Sequence, residues 1–146
     1  MTLPDGAWYD FWKGTRFDGP AKVEVDAPLE TIPLFVREGS LIPLEEMSRI
    51  SLHFYARSEG KSNRSFYFDA GDAYGPSRVD RFETSRRRDT LTILWKKEGD
   101  FPFPYDQVFV EALGIENNRA FVDGKTVVWN QKRLDTGMFD ELRIES

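Results

Sequence analysis

The sequence predicts an all-β protein, an antiparallel β-sandwich built as two small sandwich units in series. Three observations lead there. Glycine-containing turn signals recur along the whole chain, at Asp5-Gly6, Asp18-Gly19, Glu38-Gly39, Glu59-Gly60, Ala70-Gly71, Glu98-Gly99 and Asp123-Gly124. Between them lie short runs in which apolar and polar residues alternate, so that every second side chain falls on one face of a sheet. No window carries a 3.6-residue apolar stripe over three turns, and one short helical turn near Glu45-Glu46-Met47 is the most helix expected.

The alternating runs define the strands in order. Lys22-Val23-Glu24-Val25 alternates first, followed by Ser51-Leu52-His53-Phe54-Tyr55. Val79 to Thr84 and Thr90 to Lys96 read as a hairpin that turns through Arg86-Arg87-Arg88-Asp89. Gln107-Val108-Phe109-Val110-Glu111 is another strand. Asp123-Gly124 stands between two apolar runs and favours positive φ at both central residues, which predicts a type I′ hairpin over residues 120–128. Phe101-Pro102-Phe103-Pro104-Tyr105 is excluded from a central strand because two prolines remove ladder donors; it reads as a loop whose aromatics cover a core edge. Ile32 to Val36 and Leu41 to Leu44 are continuously apolar, as expected of segments buried on both faces. Composition shifts near Met47-Ser48-Arg49. The boundary is placed there, with a partial proximal β-sandwich over 1–49 and a distal β-sandwich over 50–146.

Composition excludes several function classes. The 146 residues carry 20 Lys plus Arg against 25 Asp plus Glu, a net charge of -5. That balance gives no support for nucleic acid or an anionic membrane as partner. No stretch reaches the roughly 18 apolar residues of a membrane helix, and the N-terminus lacks the basic, apolar, small-residue order of a signal peptide. There are 0 cysteines, which removes disulfides and thiol chemistry. No glycine-rich phosphate loop follows a strand.

Two motifs resemble a known family. Leu3-Pro4-Asp5-Gly6-Ala7-Trp8-Tyr9-Asp10-Phe11-Trp12-Lys13-Gly14 and Ala27 to Leu44 (APLETIPLFVREGSLIPL) are similar to the C-terminal region of glycoside hydrolase family 31, the α-glucosidases and α-xylosidases. Ser65 to Tyr74 is similar to a segment of the family's distal sandwich, but has Phe68 where a glutamate is usual and Ala70 where an aspartate is usual. The resemblance implies a parent that cleaves α-linked glucosides or xylosides with retention. It also implies that the nucleophilic and acid/base aspartates lie on a (β/α)8 barrel upstream of this region. Nothing in this chain matches those motifs. The chain is therefore expected to be non-catalytic, with that barrel as its packing partner. The surface meant for the barrel would promote self-association when left exposed.

Candidate chemistry is sparse. Glycosidic hydrolysis needs two carboxyl groups about 5 to 10 Å apart. Asp69 and Asp72 are the best-spaced pair, but they flank Gly71 in a turn, where aspartate caps backbone amides. The same loop offers few acids to calcium. His53 is the only histidine, which argues against zinc, and its strand position reads as a sheet surface; a Ser-His-Asp triad would have to use it. Trp8, Tyr9 and Trp12 are the sugar-contact candidates, since pyranose faces pack on aromatic rings; the competing reading places them in the core or at a domain contact. Arg86-Arg87-Arg88 reads as a solvated hairpin tip, and Asn63-Arg64-Ser65 fits a glycosylation acceptor. No catalytic, cofactor-binding or metal-ligating residue is assigned. A carbohydrate-binding module is the alternative function.

Overall fold

The computed structural model describes residues 1–71, 74–116 and 119–146. Among them the secondary structure is entirely strand, turn and loop, in three sheets. The first has the order β2 (Arg16–Lys22), β1 (Thr2–Asp10), β3 (Phe35–Arg37). The second is six-stranded: β11 (Lys125–Val127), β10 (Arg119–Val122), β13 (Glu141–Glu145), β8 (Thr90–Gly99), β7 (Ser77–Arg87) and β6 (Gly60–Asp69). The third is four-stranded: β12 (Leu134–Asp135), β9 (Gln107–Leu113), β5 (Arg49–Tyr55) and β4 (Leu41–Glu46).

The four- and six-stranded sheets enclose the main core. Alternation selects the inward residues: Ile50, Leu52 and Phe54 from β5, Val108 and Val110 from β9, Leu91, Ile93 and Trp95 from β8, and Leu142 and Ile144 from β13. Among the described residues all strand pairings are antiparallel except one. β5 and β9 run parallel, with Ile50 opposite Val108 and Phe54 opposite Ala112. The Phe101–Tyr105 loop packs its aromatics on this core as expected, with Phe103 5.4 Å from Trp95 between ring centroids. Among the described residues one ion pair lies within the core. Arg78 and Asp80, two apart on β7, point inward together, and the guanidinium donates to the carboxylate at 2.8 and 2.9 Å. Trp95 Nε1 donates to the same carboxylate at 2.8 Å. With its oxygens so occupied, the buried Asp80 charge is paired rather than stranded.

The small sheet docks on this sandwich through Tyr9. Alternation along β1 turns Ala7 and Tyr9 inward, and Tyr9 is 2% exposed. Its ring lies 5.6 Å from that of Tyr55, and its hydroxyl donates to the Ala56 carbonyl at 2.8 Å. Gly114 makes room for it: a Cβ there would collide with the tyrosine hydroxyl, and the backbone holds φ at +86°. The main chain ties the same junction, with Gly39 N donating to Tyr55 O at 2.7 Å and Tyr55 N donating to Ser40 O at 3.0 Å. Asp10 ends β1, its carboxylate accepting from the amides of Trp12 and Lys13 at 2.8 and 2.9 Å.

Several local expectations are corrected. The expected helical turn near Glu45-Glu46-Met47 is strand: Glu45 and Glu46 pair with Ile50 and Arg49, and Met47 takes a left-handed turn conformation at φ 56°. The tight β4–β5 hairpin leaves no room for a helix, and it joins residues on both sides of position 49. Asp5-Gly6 and Asp18-Gly19 are not turns. Gly6 and Gly19 face each other across β1 and β2, where the register shifts; Gly6 has φ +115° and a Cβ on Gly19 would meet the Pro4 carbonyl. These glycines serve a bulge and a close backbone approach, not a reversal. The strand expected at Lys22 to Val25 is instead the end of β2 followed by loop. Ile32 to Leu34 are not buried on both faces: only Phe35 and Val36 of that run enter a strand, and Ile32 is 73% exposed. The Asp123-Gly124 turn has φ of 48° and 80° at its two central residues, as a type I′ turn requires.

The junction predicts that Tyr9→Phe leaves the Ala56 carbonyl without its donor and costs about 1–3 kcal/mol in urea unfolding. Gly114→Ala should destabilise too, through both the left-handed φ and the blocked hydroxyl site. If both variants unfold at the wild-type midpoint, Tyr9 does not anchor the small sheet.

Candidate functional site

The three aromatic candidates sit in different environments. Tyr9 presents no face to solvent. Trp8, on the opposite face of β1, is half-buried; its Nε1 donates to the Pro4 carbonyl at 3.0 Å, and the Arg37 guanidinium lies 5.9 Å from its ring centroid. Trp12 is 58% exposed. It sits just past the end of β1, edge-on to Phe11 at 5.0 Å, with Nε1 donating to the Ile32 carbonyl at 2.9 Å. The structure thus separates these rings instead of aligning them as one platform.

Trp12 borders a cleft of about 490 Å3, between the small sheet and the 23–33 segment, with Asp10, Phe17, Val25 and Phe35 among its walls. Phe17 and Phe35 meet edge-to-face across it at 5.9 Å. Phe11 N donates to Leu34 O at 2.9 Å, which holds the loop against the sheet. Trp12, Leu29, Ile32 and Leu34 are all large, apolar and exposed, and the Trp12 indole holds the Ile32 carbonyl.

Of the two carboxylate candidates, only Asp69 lies among the described residues. Asp69 Oδ1 accepts from Gly71 N at 2.9 Å, the backbone cap of a turn; Asp72 lies outside the described residues. Among the described residues no group of three or more acids and histidines is placed to hold a metal ion. The arginine cluster divides. Arg86 donates to the Gly114 carbonyl at 2.8 Å and to the Arg88 carbonyl at 2.9 Å, tying the β7–β8 turn to the loop after β9. Arg87 and Arg88 are exposed.

His53 is more engaged than a bland surface residue. The parallel register sets it opposite Glu111, with Nδ1 3.2 Å from the glutamate Oε2. Its Nε2 lies 3.1 Å from Ser51 Oγ. Burial pushes the imidazole below its ordinary 6.5, and the Glu111 carboxylate pulls it partly back. The sequence shows Ser51 and His53 on one face, but Glu111 joins them only through a parallel pairing between strands 58 residues apart, since His53 meets Glu111.

Residues 1–42 match the family model described as the glycosyl hydrolase family 31 C-terminal domain. The chain is similar to Alpha-glucosidase 2 of Bacillus thermoamyloliquefaciens, 26% identical over 134 residues that cover 84% of this chain and 17% of that protein. A stretch of 37 residues is 51% identical to the alpha-xylosidase of Saccharolobus solfataricus, covering 25% of this chain and 5% of that protein. Among solved structures, the alpha-1,4-glucan lyase of Gracilariopsis lemaneiformis matches with a TM-score of 0.69 at 13% identity, over 100% of this chain and 20% of that one. The structural match speaks to the fold. In each case this chain corresponds to a fifth or less of the relative's length.

Because His53 is the only histidine, its imidazole proton resonance titrates alone. The midpoint should fall below 6.5. A lowered pKa in the folded state means that the unfolded chain binds the proton more readily. Stability from this site is therefore present above pH 6.5 and declines as pH falls below it. His53→Gln should flatten that slope; a midpoint above 6.5 would show that the glutamate outweighs burial.

Proposed function

Given that this chain is homologous to the C-terminal region of family 31 glycosyl hydrolases, we propose that it is a non-catalytic packing module for the catalytic (β/α)8 barrel of a retaining α-glucosidase- or α-xylosidase-type enzyme. The observation that carries the reading is the exposure of four large apolar side chains, Trp12, Leu29, Ile32 and Leu34, within one short stretch of the chain. Exposed large apolar side chains concentrated in one segment mark a contact surface. The residues lie on the small sheet and its loop, within the stretch matched by the family model. That sheet has three strands among the described residues, so β2 and β3 are both edges, and it is anchored to the sandwich by the buried Tyr9 and by main-chain bonds to Tyr55. Its remaining surface is available to a larger neighbour. Apolar burial at about 25 cal/mol per Å2 makes even a modest contact worth several kcal/mol gross.

In this role the module positions and covers, while glycosidic bond cleavage belongs to the barrel. The distal sandwich supplies the stable base: its core is closed, and its one buried charge pair is internally satisfied. A second reading, a carbohydrate-binding module, draws on one specific observation, the exposed Trp12 beside the 490 Å3 cleft. A pyranose stacked on that ring would have the Asp10 and Lys13 side chains within the same cleft.

The two readings separate experimentally. As a packing module, the isolated chain should bind an apolar-surface dye and self-associate in light scattering. Trp12→Ser combined with Ile32→Ser should reduce both signals at least twofold without shifting the unfolding midpoint by more than about 0.5 kcal/mol, as for surface sites. Calorimetry with millimolar maltose or isoprimeverose should give no heat. A clean monomer without dye binding would overturn the packing role, and saturable sugar heat lost in Trp12→Ala would favour the binding module.

A further inference from the structure

The outer face of the four-stranded sheet carries a constellation that a packing role does not use. Ser51 and His53 alternate on β5, and Glu111 stands opposite His53 on β9. Ser51 Oγ is 3.1 Å from His53 Nε2, and His53 Nδ1 is 3.2 Å from Glu111 Oε2. A hydroxyl at one imidazole nitrogen and a carboxylate at the other is the arrangement that activates a serine. All three side chains line one groove of about 340 Å3, together with Arg49, Arg133, Glu45 and Glu46. Arg133 is fixed there by stacking on Phe109, 4.1 Å from the ring centroid.

The parts divide the work in a definite way. Glu111 accepts from Nδ1–H and so selects the tautomer whose Nε2 lone pair faces Ser51. Two rigid strands hold the three groups in register, so no loop has to close to assemble them. The sheet ladder consumes the backbone amides of β5 and β9, which leaves Arg49 and Arg133 as the groove's positive charges for a developing oxyanion. Glu45, Glu46 and Glu111 offset those cations, so the groove suits an uncharged substrate.

We propose that Ser51 is a nucleophile toward small uncharged carboxylic esters, with His53 as general base and acid and Glu111 as a positioning residue. Ser51 Oγ forms the bond to the carbonyl carbon while its proton passes to His53 Nε2. Collapse of the tetrahedral adduct breaks the carbon–alkoxy bond, and the leaving alcohol takes the proton from His53. Water, giving its proton to the same imidazole, then attacks the acyl carbon; the carbon–Oγ bond breaks, His53 returns the proton to Ser51 Oγ, and the carboxylic acid leaves. Burial keeps the imidazole below its ordinary 6.5, so the base is neutral at pH 7. The inference is independent of the packing role and requires no carboxylate pair.

The test uses the whole chain with p-nitrophenyl acetate and, separately, a fluorophosphonate probe. Intact mass and peptide mapping should locate a single adduct on Ser51, and Ser51→Ala should abolish both the adduct and the nitrophenolate burst. His53→Gln should slow acylation by about 100-fold or more. Glu111→Gln should slow it and also move the midpoint of its pH dependence downward, since the carboxylate that raises the imidazole is gone; a purely structural glutamate would not move that midpoint. Each variant is checked by near-UV circular dichroism for the wild-type fold. Absence of an adduct, an adduct on another residue, or a Ser51→Ala variant that reacts at the wild-type rate would overturn the proposal.

Discussion

Tyr9 joins two bodies that are also tied by main-chain hydrogen bonds at Tyr55. One side chain supplies both the apolar contact, against Tyr55, and the polar one, to the Ala56 carbonyl. The arrangement needs Gly114, because any side chain there would occupy the hydroxyl's position. A tyrosine suits such a joint: its ring fills space like a core residue, and its hydroxyl reaches a carbonyl that would otherwise be buried without a donor. The orientation of the small sheet, and with it the placement of Trp12 and the cleft, follows from that contact.

The all-β character was legible because alternation is a local property. Ser51 to Tyr55, Thr90 to Trp95 and Gln107 to Glu111 each fall within observed strands. The Asp123-Gly124 hairpin was legible for the same reason, since two consecutive residues decide a type I′ turn. What failed was the meaning of glycine where two paired strands approach closely. Gly6 and Gly19 look like turn residues from their aspartate neighbours, and only the pairing of β1 with β2 shows that they permit a bulge. The apolar run at Ile32 to Leu34 misled in another way, because hydrophobicity was read as burial. Ile32 and Leu34 are exposed here, because apolar character marks a surface that avoids water without specifying which body covers it.

The site chemistry was less legible than the fold. Sequence reasoning found Ser51 and His53 on a shared face, but had no means to bring Glu111 beside them. Alternation sets Trp8 and Tyr9 on opposite faces, and β1 does send Tyr9 inward and Trp8 outward. Less legible was the turn after Asp10 that carries Trp12 to the cleft. Proximity in sequence predicts proximity of side chains poorly in a strand, where neighbours face opposite ways.

The single parallel pairing, β5 with β9, governs how the molecule can be assembled. A parallel neighbour cannot be reached by a tight turn, and the crossover here contains β6, β7 and β8, half of the opposite sheet. β9 therefore finds its register beside β5 only after the chain has travelled across the core and back. Neither layer is a contiguous stretch of polypeptide, so the two faces must mature together. Proteolysis within the 56–106 crossover would sever the link between adjacent strands of one layer as well as damage the layer it builds. Such non-local wiring places the domain among the slower-folding topologies and makes its cooperativity a property of chain path as much as of packing.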